Sequence, residues 1–242
     1  MATTSTRQKR KRGTPTPIEL VNRKDDSQFV ADHLRPSPDW NTWTHPKTQD
    51  AYALSLVGAG RLSEADLTAC FELVEETSRG DYEPSSMGWK PAQKRAEMRS
   101  PELRYILVRR RNREGERAGA GEGEIRGFTS LMPTYEEGQP VVYCYEIHLK
   151  PDLQGTGLGR QLLGYHEQVA RHTPTVEKVM LTCFLSNERA LAFYRKLGFE
   201  RDEMSPEPRK LRFGKVFVPD YMIMSKSIVN EADAAASSSS SS

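Results

Sequence analysis

The chain has 242 residues, with 35 Lys and Arg against 33 Asp and Glu and a formal net charge of +2 at pH 7. That length bounds one domain with tails, and the near balance of charge excludes an overall field that would drive nucleic-acid binding. Cys70, Cys144 and Cys183 are odd in number and scattered, which excludes a disulfide framework and a zinc-ligand spacing; the five histidines form no ligand pair, so no metal is expected.

Met1–Thr16 lacks apolar periodicity, and five of the six residues 7–12 are Lys or Arg. Such a run suits a nuclear-import signal, a phosphate-binding tail or a merely solvated arm. Residues 1–17 are expected to be a disordered basic arm, the sole place for nucleic-acid contact. Residues 18–229 are expected to fold as one domain with an N-terminal helical extension. Residues 230–242, alanines running into serines, are expected to be a disordered tail. No run of about 18 apolar residues and no signal peptide is visible, so a soluble, intracellular protein is expected, without membrane contact.

Ser63-Glu64-Ala65-Asp66 resembles a capping box, and Leu67, Cys70, Phe71 and Val74 follow at helical spacing. A helix over 64–79, stopped by Gly80, is predicted. Pro91 opens a short helix to about Met98. Leu103–Arg110 reads as a strand, Gly115–Gly123 as a polar connection, Glu124–Met132 and Val141–Leu149 as two strands joined across Pro133–Pro140. A helix over 160–172, a strand Val176–Phe184, a helix from Asn187 closed by Gly198, and a last strand Val216–Ile228 follow. Antiparallel strands first, then strand–helix–strand–helix–strand, predict an α/β domain whose mixed central sheet is flanked by helices.

Between the strand Val141–Leu149 and the helix at 160 stands Gln154-Gly155-Thr156-Gly157-Leu158-Gly159. A strand ending in a glycine-rich turn that opens a helix holds phosphate: free N–H groups and the positive helix end point at the anion. Taken alone the loop also fits a dinucleotide fold or a ligand-free turn. The absence of a following Gly-Lys-Ser/Thr rules out a nucleotide-hydrolysing P-loop.

Three segments together resemble the GCN5-related N-acetyltransferase family: the loop 154–159, the helix Asn187-Glu188-Arg189-Ala190-Leu191-Ala192-Phe193-Tyr194, and the turn Leu197-Gly198-Phe199. A narrower likeness, carried by Tyr143-Cys144-Tyr145-Glu146-Ile147-His148-Leu149, Gly88-Trp89-Lys90 with Lys94-Arg95 and Glu97-Met98 following, and Val179-Met180-Leu181-Thr182, is to the D-type N-alpha-acetyltransferases, which modify the Ser-Gly-Arg-Gly terminus shared by two core histones.

This resemblance implies acetyl-CoA as cosubstrate, its pyrophosphate held by Gln154, Gly155, Thr156, Gly157, Leu158 and Gly159 with Arg160 at the edge. It implies that the pantetheine arm pairs with Ile147, His148 and Leu149, and that Asn187 contacts the cofactor from a helix start it also caps. Glu146 is the expected base, acting directly or through water. Alternation puts it on the opposite face from Tyr145, so one of the two needs a bulge or solvent to reach the site. Tyr194 is the expected proton donor to the leaving thiolate, or else a core aromatic. The peptide slot is expected to use Tyr82, Thr134, Glu136, Tyr143, Tyr145, Thr182 and Tyr221, with Glu136 and its neighbour Glu137 meeting a substrate arginine.

The expected partners are therefore histone N-terminal tails, and the expected location the nucleus and cytoplasm. A lysine or small-amine acetyltransferase, and a non-catalytic acyl-CoA-binding chromatin adaptor, are the alternatives on the same fold. Cys144 and Cys183 are expected to be strand residues rather than nucleophiles.

Overall fold

The structure is a computed structural model and describes residues 14–111, 123–210, 212–214 and 216–228. The basic run at 7–12, the tail from 230 and most of the Gly115–Gly123 connection lie outside the described residues.

Two short N-terminal helices, α1 (Pro17–Asn22) and α2 (Asp26–Phe29), are each opened by a reciprocal capping box, on Thr16 with Glu19 and on Asp25 with Gln28. Thr16, within the stretch expected to be part of the arm, is thus the cap of the first helix. One wide turn, Val30–Leu34, follows. Then come β1 (Thr42–Thr44), β2 (Ala51–Gly58), α3 (Glu64–Tyr82), α4 (Pro91–Glu97), β3 (Arg104–Arg110), β4 (Ile125–Glu136) and β5 (Gln139–Leu149). The C-terminal half contains α5 (Leu158–Arg171), β6 (Lys178–Phe184), α6 (Glu188–Lys196), β7 (Glu200–Arg201), β8 (Arg209–Lys210), β9 (Val216–Phe217) and β10 (Tyr221–Ser227). No described helix is long and apolar enough to cross a membrane.

Eight strands form one mixed sheet in the order β1-β2-β3-β4-β5-β6-β10-β7, all neighbours antiparallel except the β5–β6 pair, which α5 connects. The expected α/β architecture is the one found. On one face α5 and the N-terminal helices pack over Leu54, Ile106, Val108, Leu131 and Val142. On the other, Leu67, Cys70 and Val74 of α3 pack with Leu107 and Phe128. Covered on both sides, β3 is buried from Arg104 to Arg109, which explains its nearly unbroken apolar centre.

Four expectations about elements need correction. Gly80 does not stop α3, which runs on to Tyr82. A mid-helix glycine costs about 1 kcal/mol, and the rings of Trp89 and Phe184 packed on Tyr82 hold the last turn despite it. The connection Pro133–Pro140 is mostly strand: β4 and β5 pair up to Glu136 and Gln139 around the two-residue turn Glu137-Gly138, both at positive φ.

Pro133 fits inside this hairpin because its carbonyl turns away from β5 to accept from the Asn22 side chain, 2.9 Å away. The nitrogen of a strand residue points the same way as its carbonyl, so the missing N–H interrupts no bond to β5. The expected strand 216–228 is broken before Tyr221; Pro219 cannot donate to a ladder, and β9 pairs with β8 in a separate hairpin. Lastly, β2 is an element that no predicted segment covers. Tyr52 and Leu54 of β2 point into the core with a period of two, too short a signal to stand out locally.

Candidate active site

Strands β5 and β6 pair only from Val141–Cys144 to Lys178–Leu181. Beyond that point β5 stays with β4 and β6 stays with β10, so the two part and leave an open cleft of ≈ 620 Å³. Ile147, Leu149, Gly155, Gly157, Arg160, Asn187 and Tyr194 line it.

The ladder decides which backbone groups face this cleft. Lys150 N–H bonds to Arg126 O at 2.9 Å, so by alternation His148 and Lys150 aim their backbone groups at β4. Ile147 and Leu149 therefore aim theirs at the opening, and the Gln154 amide donates to Leu149 O from that side, at 3.0 Å. Of the three residues expected to pair with an extended ligand, Ile147 and Leu149 turn backbone groups to the cleft and His148 does not.

At the cleft's end Gly157 is the N-cap of α5 and supplies no side-chain cap, so the first N–H groups of a 14-residue helix stay available to an anion. The glycines serve different ends. Gly155 and Gly157 have φ +75 and +93, which an L side chain rarely adopts, although open space surrounds both. Gly159 is helical; a Cβ there would stand 3.2 Å from the Phe193 ring of α6, so this glycine lets α5 and α6 approach. Thr156 donates its hydroxyl to Leu153 O at 2.6 Å, and the Leu158 side chain is fully buried in the core. Neither offers a side chain to a ligand.

Asn187 caps α6 through Ala190 N–H, 3.0 Å from its Oδ1, and gives its amide to Asp81 of α3 at 3.1 Å. The Ser186 hydroxyl donates to the same carboxylate at 2.6 Å, tying α3 to α6 across the cleft mouth.

A β-bulge sits where the two halves of the site meet. Leu131 opposes Cys144 while Ser130 opposes Glu146, which leaves Tyr145 as the extra residue. The bulge puts Tyr145 and Glu146 on the same face: Tyr145 rests against the Tyr143 ring, 5.0 Å between centroids, and Glu146 meets Lys94 and His148 on the α3/α4 side. Glu146 has its side chain 10% exposed, with Oε1 3.1 Å from Lys94 Nζ and Oε2 2.6 Å from His148 Nε2. Burial alone would raise its pKa, but the His148 bond and the charges of His148 and Lys94 outweigh it and hold the carboxyl below the usual glutamate range. Lys94 is likewise opposed by burial, yet Glu146, the Tyr82 hydroxyl and Glu97 keep its ammonium above the usual lysine range.

Around this carboxylate lies an aromatic slot. Tyr82 packs edge-on against Phe184 at 4.7 Å, with Lys94 Nζ 4.9 Å from its centroid. The Tyr143 and Thr182 hydroxyls are 2.5 Å apart. Tyr221 pairs with Phe184 and so shares its face, and Asp220 next to it accepts from the N–H and hydroxyl of Ser86. Thr134 and Glu136 lie further out along β4, on the face of Met132 and its cross-strand partner Tyr143. Burial, with the charge of Glu137 beside it, raises the Glu136 carboxyl. The expected slot residues therefore share one face, with Glu136 at its outer end.

Tyr194 is 8% exposed at the floor of the cleft, and among the described residues its hydroxyl has no hydrogen-bond partner. Burial raises it well above the ordinary tyrosine value, so it stays protonated and free to donate. Cys144 and Cys183 are buried, and burial pushes both thiols up to about 12, which excludes a resting thiolate. Among the described residues no group of three or more His, Cys, Asp and Glu could hold a metal ion. Thr77 and Asp81 complete the site from α3 with no local motif to announce them, and Lys94 comes from α4, in a segment that carries the narrower likeness but gave it no role; Lys94 lies 52 positions from Glu146.

The mixed sheet thus splits at its one parallel pair, with an uncapped helix start at the split and a buried carboxylate beyond it. Residues 68–199 match the Acetyltransferase (GNAT) family, more than half of the chain, and the chain belongs to it. It is 34% identical over 166 residues to N-alpha-acetyltransferase 40 of Saccharomyces cerevisiae, covering 59% of this chain and 54% of that protein. Against N-alpha-acetyltransferase RimI of Mycobacterium tuberculosis the identity is 32% over 148 residues, 60% of this chain and 79% of the relative. The chain thus spans about half the length of the first of these relatives and most of the second. A solved acetyltransferase from Streptococcus agalactiae shares the fold at 14% identity, with a TM-score of 0.50 over 72% of this chain and 98% of that one.

Proposed function

We propose that the protein is an N-alpha-acetyltransferase that moves the acetyl group of acetyl-CoA to the amino terminus of histone-like chains beginning Ser-Gly-Arg-Gly. The observation that carries the reading is the meeting at the Tyr145 bulge of a backbone-built cleft on one side and a carboxylate-bearing slot on the other. Kinship with two N-alpha-acetyltransferases supports the α-amine as acceptor.

The residues present fit the cosubstrate. The free N–H groups at the start of α5, with Arg160 beside them, suit a pyrophosphate, and the free edges of Ile147 and Leu149 suit an amide-bearing arm. Acetyl-CoA supplies an activated thioester carbonyl; the chain supplies position and charge. An α-amino group, with a pKa of about 7.7–8.0, is partly neutral at physiological pH. Moving its proton directly onto a carboxyl held below the usual glutamate range is uphill.

Glu146 therefore serves best as a fixed anion. It orients the amine, favours the positive charge that develops on nitrogen during attack, and passes the proton on through water. Tyr194 holds a proton at the cleft floor for the departing sulfur. Glu136, at the outer end of the slot, is placed for the cationic side chain of an acceptor's third residue. The basic run at 7–12 is read as a nuclear-import signal, which gives a nuclear as well as cytoplasmic location.

The test is incubation of the full chain with acetyl-CoA and a Ser-Gly-Arg-Gly peptide, with the modified nitrogen mapped by mass spectrometry. Acetyl on the α-amine is expected. Modification of a lysine side chain alone, or acetyl-CoA binding with no turnover on any amine, would overturn the assignment.

A further inference from the structure

The bulge at Tyr145 breaks the regular β4–β5 pairing at the point where the cleft opens, and a peptide beside a bulge is held less firmly than one inside an unbroken ladder. An extra tie is present there. Thr129 of β4 is fully buried, stands opposite Ile147, and has its Oγ1 2.8 Å from Glu146 O. A carbonyl accepts and never donates, so the hydroxyl gives its hydrogen to Glu146 O. The other neighbours of Oγ1 are farther away, His166 Nε2 at 3.3 Å and Cys144 Sγ at 3.8 Å. The Cys144 thiol approaches the same carbonyl at 3.7 Å, at the long end for sulfur.

The peptide bond carries this tie across to the cleft. The Glu146–Ile147 peptide is trans, and a planar trans peptide sets its C=O and N–H on opposite sides. With the Glu146 carbonyl turned to Thr129 on β4, the N–H of the same unit, that of Ile147, is turned to the cleft. Rotating the peptide would swing both ends at once. A bond accepted at the oxygen also polarises the unit, which makes its N–H a stronger donor. Glu146 is thereby fixed twice: its carboxylate by Lys94 and His148 on the α3/α4 side, and its backbone by Thr129 from within the sheet's core.

We propose that Thr129 is a positioning residue for the reaction: by holding the Glu146 carbonyl it aims the Ile147 N–H into the cleft, as a donor to the thioester oxygen that gains charge during attack. The catalytic half of this statement rests on the acetyl transfer proposed above. In the sequence Thr129 reads as an ordinary strand residue, and its hydroxyl acquires a task only from the register of β4 against the bulge.

Two substitutions separate the hydroxyl from the space it fills. Thr129→Val keeps the branched shape and loses the hydroxyl; Thr129→Ser keeps the hydroxyl and loses a buried methyl. In the ligand-free full chain, the amide proton of Ile147, followed by NMR, should move upfield in Thr129→Val and stay near its native position in Thr129→Ser. A signal unmoved in Thr129→Val, or moved equally in both, overturns the proposal. This arm needs neither acetyl-CoA nor an acceptor, so it stands or falls separately from the acetyl transfer.

The kinetic arm uses the Ser-Gly-Arg-Gly peptide. Thr129→Val leaves the Ile147 N–H in place but poorly aimed, so kcat should fall about tenfold, less than the roughly 10²–10³ expected when such a donor is lost outright. KM for acetyl-CoA and for the peptide should stay within about twofold. Thr129→Ser should keep kcat within about twofold of native even where its urea midpoint falls. A native kcat in Thr129→Val, or a Thr129→Ser as slow as Thr129→Val, would reduce Thr129 to packing and overturn the proposal. Should Thr129→Val not fold, a tenfold loss of kcat in Thr129→Ser overturns it alone. A native chain inactive on every amine would overturn the acetyl reading and the catalytic half with it, while the amide signal still decides whether Thr129 sets the peptide.

Discussion

The two halves of the site are built from different materials. The half proposed for the cofactor is backbone: uncapped N–H groups at the start of α5, the strand edges of Ile147 and Leu149 turned to the cleft, and glycines that permit those paths. The half proposed for the acceptor is side chain: Glu146, Lys94, His148, Tyr82, Tyr143 and Thr182, drawn from α3, α4, β5 and β6. A backbone site is specified by where side chains are missing, and a few neighbouring residues suffice for it. A side-chain site needs several elements to converge, and each tolerates change only if its partners follow. The first half can therefore be shared among many transferases, while the second can set which amine is used.

The sharpest way to separate the halves is Glu146→Gln. Turnover should fall by about 10²–10⁴-fold, with partial recovery at high pH where more amine is neutral, while acetyl-CoA affinity holds. A near-native rate would show that the acceptor side works without this carboxylate.

The mirror experiment is Gly159→Ala. The added Cβ, 3.2 Å from Phe193, should cost about 1–3 kcal/mol of stability in denaturant melts and weaken acetyl-CoA binding. Phe193→Ala in the same chain should restore part of the stability. No rescue would mean that α5–α6 crowding is not what that glycine relieves.

Acid bears on the packing beneath both halves. Burial drives His166, under β4 and β5, and His33, against the end of α5, down to about 4. Lys24 beside His33 pushes the same way. Each is neutral when folded and charges readily at about 6.5 when unfolded. Their stabilising contribution is complete above about 6.5 and is lost as pH falls through about 4, because the unfolded chain binds the extra protons in that window. The urea midpoint should drop by an amount worth roughly 1–3 kcal/mol between those limits. A His33→Asn/His166→Asn double variant should flatten the slope, and an unchanged slope would point to the carboxylates instead.

The smallest effect is expected from Tyr194→Phe, about tenfold or less in kcat with KM unchanged, since removing one uncommitted hydroxyl leaves the ring packing intact. No change in kcat would make Tyr194 a core aromatic only.

Much of the backbone of the cleft was legible in the chain, because its signals are local: alternating glycines after a strand, Asn187 opening a helix, Gly198 at φ +87 just beyond its end. The role of each glycine was not. Gly159 reads like its neighbours and differs only because α6 comes back to lie on it. The bulge was anticipated as a geometric need, since strict alternation parts Tyr145 from Glu146, but that Tyr145 is the extra residue is fixed by the register against β4. Lys94 and Thr77 gave no sign of their roles, 52 and 71 positions from Glu146 and His148, the residues they hold.

By itself the sequence determined most of the order of helices and strands from α3 to α6, the mixed sheet and the glycine turn that opens α5, because periodicity, caps and glycine conformations act over a few residues. The tertiary structure alone decided that β5 and β6 part after Cys144, that His148 turns its side chain to Glu146, and that Glu146 stands buried between Lys94 and His148. Those features depend on charges and backbone edges brought together from distant stretches of chain, and their energies exist only once the sheet has closed around them.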